Sequence, residues 1–496
     1  MDSFSLDLNK MDGRRALTFD DVLIRPGYSE VLPNNTEYLS RFSRNINLQA
    51  PIVSAAMDTV TESKTAIVMA QEGGIGVIHK NMPPQIQGRE IQDVKKYETG
   101  IIQNPVTVQP EDSLKIVVEI TKKHRITGVP VVTDENKLMG ILTSRDIQFE
   151  EDLSLKVKDI MTPKENLITA HKEISMAEAR FLLHKHRIEK LPLEDENEKL
   201  CGLITMKDIS KTIDFPNSNK DSLGRLRVAA AVGVDPSEWD RISILVESQV
   251  DAIVVDTAHG HSNAVIEIIK KIKQAYPEID VVAGNVATAQ GCVDLISAGA
   301  DAIKVGIGPG SICTTRVVAG IGMPQFSAIM ECAQICRRED VPLVADGGIK
   351  YSGDIVKALA IGADSVMLGS LLAGTDESPG ETIHYQGRTY KVYRGMGSIG
   401  AMQLGSKNRY SQGYVEELTK LVPEGIEGQI PYRGSLSSNL YQLLGGIKAG
   451  LGYVGAANLT ELRQKADFVA VSLATLKENH PHDVLITKEA PNYRLP

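Results

Sequence analysis

The chain has 496 residues, 42% hydrophobic and 24% charged, with a formal net charge of -9 and a pI near 5.7. That length implies two or three domains, and the acidic balance excludes a nonspecific nucleic-acid or anionic-membrane binder, so a bound phosphate needs a local site. No apolar run approaches the roughly 18 residues of a membrane span, the polar, acidic N-terminus is no signal peptide, and the odd, scattered cysteines (201, 292, 313, 332 and 336) fit a reduced cytoplasmic chain without disulfides or a zinc site.

Residues 1–50 read as a mostly irregular lead-in, broken by Pro26, Gly27, Pro33, Asn34 and Asn35. Pro51-Ile-Val-Ser-Ala-Ala-Met-Asp58 is the first apolar strand, and it ends on Ser54 and Asp58. A helical pattern follows at Ala66, Ile67, Met69 and Ala70, and Gly73-Gly-Ile-Gly-Val-Ile-His-Lys80 is a second strand. This β/α alternation stops near Gly100.

Residues 101–215 are an internal repeat. The first copy runs from Asn104-Pro-Val-Thr-Val108 through a helix over Ser113–Arg125 to extended segments at Ile126–Val132 and Asp134–Leu142, ending in Thr143-Ser-Arg-Asp146. The second runs from Asp159-Ile-Met-Thr-Pro163 through a helix over Ser175–Arg187 to extended segments at Ile188–Leu193 and Asp195–Ile204, ending in Thr205-Met-Lys-Asp208. The copies match over about 50 residues, and tandem units of this kind pack on each other. The pattern resembles a CBS-domain pair. That resemblance implies an adenine- or guanine-nucleotide site, with Thr143, Asp146, Thr205 and Asp208 on the ribose hydroxyls. The other reading is a spacer that binds nothing.

After a polar linker at Asp214–Leu223 the alternation resumes. Strands at Arg227–Val234, Asp251–Asp256, Asp280–Val286, Asp301–Val305, Pro342–Asp346 and Asp364–Leu368 alternate with helices at Trp239–Ser248, Asn263–Tyr276, Thr288–Ala298, Gln325–Glu339 and Ser352–Ile361. Two strands before the repeat and six after it make an α/β fold, a (β/α)8 TIM barrel with the repeat inserted in one of its loops. The domains are then 1–100, 101–215 and 216–496. A doubly wound open sheet is the alternative. The strand-end residues favour the barrel, because Ser54, His79, Asp256, Asn285, Gly306, Asp346 and Gly369 would meet at one C-terminal face, where barrels keep their active sites. Ala373–Gly434 is long, Gly-rich and without period, as expected of a lid or of disorder. The tail from Glu478 shows no helix period.

The chemistry centres on Ala302–Arg316. A short strand becomes the loop Gly306-Ile-Gly-Pro-Gly-Ser-Ile-Cys-Thr-Thr-Arg316. Glycines let backbone approach a ligand, and a thiol on such a loop beside a cation suits a nucleophile that adds to an electrophilic carbon. Asp346-Gly-Gly-Ile349 and Gly369-Ser370 follow adjacent strands, where barrels bind phosphate, although tight turns would read the same. No Walker or Rossmann glycine pattern occurs. Asp256 suits ribose hydroxyls, a carboxamide or an N-cap. His259 and His261 lack a third metal ligand and read as loop polarity. Cys332 and Cys336 read as core. Arg409-Tyr410 is either a surface pair or, over a thiol site, a means of activating water, which is demanding for a guanidinium.

Gly306–Arg316, Asp346-Gly-Gly-Ile349, Gly369-Ser370, Tyr393-Arg-Gly-Met-Gly-Ser398, Asn408-Arg-Tyr410 and Pro423-Glu-Gly425 together resemble the inosine-5′-monophosphate (IMP) dehydrogenase family of the bacterial type. The resemblance covers almost the whole chain. It implies that Cys313 attacks C2 of IMP, that hydride passes to NAD, and that a flap at about 385–434 brings in Arg409 and Tyr410, with Thr315 assisting, to release XMP by hydrolysis. It further implies that Ser311, Asp346, Gly347, Gly348, Gly369, Ser370, Tyr393 and Gly395 hold ribose and phosphate. Ser54, Met57, Met396, Gly397 and Glu424 would meet the base. Asp256, Thr257, Asn285, Arg316, Gly306 and Gly308 would lie on the cofactor side. A potassium ion is implied on carbonyls of Gly306, Gly308 and Cys313, completed by Glu478, Asn479 and His480 of a neighbouring subunit. The family's assembly is a homotetramer that its CBS pairs can join into octamers. GMP reductase, the nearest rival, is disfavoured on two grounds: relatives of that kind lack the CBS pair, and they have no need of the Arg409-Tyr410 flap.

Overall fold

The computed structural model describes residues 15–98, 102, 105–124, 126–206 and 214–493. Of the sequence-based assignments, Asn104, Arg125 and Asp208 lie outside the described residues. The chain divides into two compact units. One contains the chain up to Lys95, Asn217–Asn219 and Leu226–Pro496, and the other contains Lys96–Pro216 and Lys220–Arg225.

The larger unit is a closed barrel of eight parallel strands, which settles the choice against an open sheet. In chain order the strands are β1 Ile52–Ser54, β2 Ile75–Ile78, β3 Val228–Val232, β4 Ala252–Asp256, β5 Asp280–Val286, β6 Ala302–Val305, β7 Leu343–Asp346 and β8 Ser365–Leu368, with β8 closing onto β1. The helices are α1 Ser63–Gln71, α2 Pro84–Tyr97, α3 Glu238–Glu247, α4 Asn263–Ala275, α5 Ala289–Ser297, α6 Gln325–Arg338, α7 Ser352–Ile361 and α8 Leu436–Val454. The repeat occupies the connection from α2 to β3, an αβ link.

Strand periodicity explains the core. Alternate residues such as Val53, Val77, Ala229, Ala231, Val254, Val282 and Val344 fill the barrel interior. Their neighbours Ile52, Ile78, Val228, Ala230, Ile253, Val255 and Ile303 face the helices. Both faces are buried, so the strands read as continuous apolar runs. The lead-in is more ordered than its proline and asparagine content suggests. Ser40–Arg41 pairs with Asn47–Leu48, and Phe42, Ile46 and Leu48 join the interior cluster. Val22–Ile24 pairs with Phe468–Ala470.

Ala373–Gly434 is likewise more regular than its composition implies. Thr382–Tyr385, Arg388–Arg394 and Glu427–Pro431 form an antiparallel sheet, and between them lie the helix Ile399–Gln403 and the 3-10 turn Ser406–Tyr410. Glu478 is the last residue of a short helix that begins at Leu473.

In the smaller unit each copy of the repeat contributes a helix, Leu114–His124 or Met176–His186. The described residues of the unit form two three-stranded sheets: Ala170–His171, Lys190–Glu194 and Leu200–Thr205 form one, and in the other Thr162–Pro163, from the start of the second copy, joins Gly128–Val132 and Leu138–Thr143 of the first. The copies pack through Val132, Leu138 and Leu200, and the Asn136 amide donates to the Leu200 carbonyl at 2.8 Å. Asp146 accepts from both the backbone and the hydroxyl of Thr143 at 2.7 Å, so these two candidate ligands are bonded to each other.

Candidate active site

The barrel register brings the carboxyl ends of β4 to β7 together, since Asp256 pairs with Gly284 and Asp346 with Met367. Lys304 lies on β6 and its side chain is 1% exposed. Its Nζ donates to Asp256 Oδ1 and Asp346 Oδ2 at 2.8 Å each, and to Asn285 Oδ1. The Asn285 amide donates in turn to the Gly306 carbonyl at 2.7 Å and to Asp346 at 2.9 Å. A buried ammonium is held here by two carboxylates and an amide oxygen, the arrangement that a desolvated charge requires.

The cysteine loop rises from this floor. Gly306 has φ +149°, and a Cβ there would collide with the Asp346 carbonyl. Gly308 has φ +80°, and its Cβ would lie 2.6 Å from Arg316 Cγ, so neither position accepts a side chain. Cys313 Sγ is 3.1 Å from Thr315 Oγ1. Thr315 opens the helical turn Thr315–Val318, which fixes the pair. The loop is stitched to the flap base: Thr314 N donates to Glu424 O at 2.9 Å, Glu424 N to Gly397 O at 3.0 Å, and Ile426 N to Ile312 O at 3.0 Å.

Arg409 and Tyr410 reach the same place from the 3-10 turn. Arg409 forms an ion pair with Asp256, and its carbonyl accepts from Ala258 N at 3.1 Å. The Tyr410 ring packs against Gly397, where a Cβ would approach it to 2.7 Å. Burial pushes the Tyr410 phenol up from its ordinary value, and the Arg409 charge works the other way. The two are not a surface pair.

On the far side of the thiol, burial pushes the Tyr393 hydroxyl up to about 12, opposed by a hydrogen bond with Ser311. Tyr393 Oη lies 3.9 Å from Met57 Sδ, and Gly369 abuts it, with a Cβ there coming within 3.0 Å. Gly347 and Gly348 have φ of +90° and +79° and pack on Pro309. The cleft holds about 810 Å³ of space, part of it open to solvent. Met57, Asp256, Thr257, Asn285, Gly306, Gly308, Cys313, Thr315, Asp346, Gly347, Tyr393, Gly395, Met396, Arg409, Tyr410 and Glu424 line it.

Other candidates lie elsewhere. Ser54 is fully buried, and its hydroxyl accepts from Thr61 at 2.8 Å behind the cleft wall. Arg316 turns away to the carbonyls of Ile307 and Met323, and burial lowers its guanidinium from the ordinary value. Ser370 opens the short helix Ser370–Ala373 and lines a separate cleft together with His480. His480 packs on Tyr351 and Tyr493. His261 bonds to Asp294 at 2.7 Å. Cys332 and Cys336 are core residues, 0% and 2% exposed.

Comparison with known proteins gives the frame for this geometry. The IMP dehydrogenase / GMP reductase domain family matches residues 16–482. The chain belongs to that family. An inosine-5′-monophosphate dehydrogenase of Aquifex aeolicus is 58% identical over 483 residues, covering 97% of this chain and 98% of that protein. One of Helicobacter pylori (strain 26695) is 57% identical over 481 residues (97% and 99%), and one of Bacillus subtilis is 54% identical over 484 residues (97% and 98%). Among solved structures, a GMP reductase of Trypanosoma brucei in complex with guanosine 5′-monophosphate superposes with a TM-score of 0.86. It is 38% identical and covers 96% of this chain and 100% of its own. A match of that extent leaves too little uncovered to omit the repeat, so the expectation that reductases lack the insertion is corrected. The insertion does not separate the two activities within the family.

Two parts of the site escaped the sequence reading. Lys304 had a signal, a single charge inside the apolar strand Ala302-Ile-Lys-Val305. The other is the flap anchor. Asp58 is 6% exposed and accepts from Arg394 Nη2 at 2.7 Å, Arg394 Nε at 3.1 Å and Asn81 Nδ2 at 2.6 Å. Nothing in the sequence joins residues so far apart in the chain.

Proposed function

We propose that the chain converts IMP, NAD and water to XMP, NADH and a proton, the committed step of guanine nucleotide synthesis. The observation that carries this reading is the meeting of the Cys313–Thr315 pair with Arg409 and Tyr410 in one cleft. A thiol alone serves either activity of the family, whereas a water-activating pair is needed only when an adduct is hydrolysed. The names and 54–58% identities of the bacterial relatives support the same choice.

Cys313 adds to C2 of the purine, with Thr315 Oγ1 placed to exchange the thiol proton. NAD, when bound, supplies the hydride acceptor. Asp256, Thr257 and Asn285 line the side of the cleft where it would lie. Met57, Met396 and Glu424 frame the base, and Asp346, Gly347, Gly348, Gly369, Ser311 and Tyr393 hold ribose and phosphate. Arg409 then occupies Asp256 and, beside Tyr410, orients and activates the water that releases XMP. Excluding bulk water before that point prevents premature hydrolysis.

A potassium ion would be held by the carbonyls of Gly306, Gly308 and Cys313, completed by residues 478–480 of a neighbouring copy. The Gly306 carbonyl also accepts from the Asn285 amide at 2.7 Å, which leaves its second lone pair for the ion. Residues 101–215 act as a regulatory CBS pair for adenine or guanine nucleotides at Thr143, Asp146, Thr205 and Asp208. The similar, mutually packed halves of that unit support this. The assembly is a cytoplasmic homotetramer that the pairs join into octamers. No helix among the described residues is long and apolar enough to cross a membrane.

Incubation with IMP and NAD, following NADH and XMP, tests the proposal. Ammonia release from GMP with NADPH, without NADH from IMP, would assign the chain to the reductase branch.

A further inference from the structure

Lys304 has no role in the scheme above, yet it touches both sides of the cleft. Asp256, on the cofactor side, and Asp346, on the substrate side, share its ammonium. Asp256 also holds Arg409. The four side chains are 1% (Lys304), 10% (Asp256), 15% (Arg409) and 20% (Asp346) exposed, so solvent screens them little. Two negative and two positive charges leave the cluster neutral while Arg409 is in place. Three of the groups belong to barrel strands, and only Arg409 comes from the flap. Withdrawing the flap therefore leaves one net negative charge on the Asp256–Lys304–Asp346 trio, and it is Asp256 that loses a cation.

We propose that Lys304 sets the floor of the cleft at one negative unit, so that Asp256 holds in turn the cationic oxidised nicotinamide and the Arg409 guanidinium. This rests on the IMP dehydrogenase reading. In the redox step the C2–H bond of the cysteine adduct breaks and both electrons leave with the hydride for C4 of the nicotinamide. The purine carbon is oxidised, the dinucleotide is reduced, and a proton passes to solvent. The ring charge falls from one to zero. Asp256 then faces a neutral ring and a single half-shared lysine, and Arg409 restores neutrality by closing. The hydride transfer itself thus transfers Asp256 from the cofactor to the flap, and the order of redox step before hydrolysis follows from charge. Lys304 is a positioning residue here. Without it the floor would carry two negative units, and both cations would be held too strongly to exchange.

Binding tests this without turnover. In a Cys313→Ala background saturated with IMP, dissociation constants are measured for NADH by its fluorescence and for NAD by competition. Flap closure opposes both forms equally, so their ratio reports the charge at Asp256 alone. NAD should bind about tenfold or more tighter than NADH, a modest share of a unit charge interaction at this burial. Adding Asp256→Asn should bring the ratio within about twofold, since the charge is lost and the shape kept. Adding Arg409→Gln should strengthen both forms by the same factor and leave the ratio unchanged. Adding Lys304→Gln should widen the ratio, and Lys304→Arg should restore it. If Lys304→Gln fails to fold, the Asp256 and Arg409 variants still decide. A ratio that Asp256→Asn leaves intact, a ratio that Arg409→Gln changes, or a folded Lys304→Gln with no wider ratio would overturn the proposal. A wild-type chain that makes no NADH from IMP would instead remove the reading beneath it.

Discussion

Replacing Arg409 with glutamine should separate the two half-reactions. Arg409 is one of two cations on Asp256, and its side chain is 15% exposed. Removing one partner of a buried ion pair costs about 3–5 kcal/mol. Lys304 remains 2.8 Å from the same carboxylate, so the loss to the closed arrangement is taken as about 2–3 kcal/mol, or roughly 30- to 150-fold in its population. Losing the group that activates water removes a further factor, typically ~10²–10⁴. Hydrolysis should therefore fall by at least about a thousandfold. In the proposed scheme hydride transfer relies on Cys313, Thr315 and Asp256, which stay in place. Rapid mixing with IMP and NAD should show a burst of about one NADH per subunit, near the wild-type rate, and then almost no turnover. If burst and steady state fall by the same factor, or neither falls, Arg409 does not serve the second half-reaction.

Three further outcomes follow from named contacts. Gly308→Ala must place a Cβ at φ +80° and 2.6 Å from Arg316 Cγ, so kcat/KM for IMP should drop at least about tenfold, with a lower Tm in a melting scan. Asp58→Asn keeps the shape of the flap anchor but loses its charge-assisted bonds to Arg394, so steady-state turnover should fall while the NADH burst persists. Tyr393 is pushed from 10.0 to about 12 by burial, so the unfolded chain binds fewer protons than the folded one above its ordinary range. Stability is then full below pH 10 and is lost as pH rises toward about 12, and Tyr393→Phe should flatten that part of a Tm-against-pH curve.

The barrel was readable because parallel strands buried on both faces are short, continuous apolar runs, and their closing polar residues mark one rim. The thiol loop was readable because Gly306 and Gly308 occupy conformations that other residues resist. Legibility failed where burial and composition disagree. The sheet formed by Thr382–Tyr385, Arg388–Arg394 and Glu427–Pro431 is largely exposed or half-buried, so its strands alternate poorly. Helix α8 contains Gly445, Gly446, Gly450 and Gly452, and no element was assigned to it from the sequence. Two of them serve packing: a Cβ at Gly446 would strike Ser352, and one at Gly450 would strike Val356, both on α7. The Asp256–Arg409 and Asp58–Arg394 pairs join segments that only the folded barrel brings together. Ser54 stands at a strand end, and its hydroxyl accepts from the neighbouring Thr61, a contact that the sequence does not announce.

The central claim is that Cys313 carries the purine between redox and hydrolysis. Acid quenching during turnover with IMP and NAD, followed by intact-mass and peptide mass spectrometry, tests it most directly. The account predicts one covalent XMP-type adduct per chain, on the peptide containing Cys313, accumulating in Arg409→Gln and absent from Cys313→Ala. NADH formation with no adduct, or an adduct on any of the other four cysteines, would contradict it.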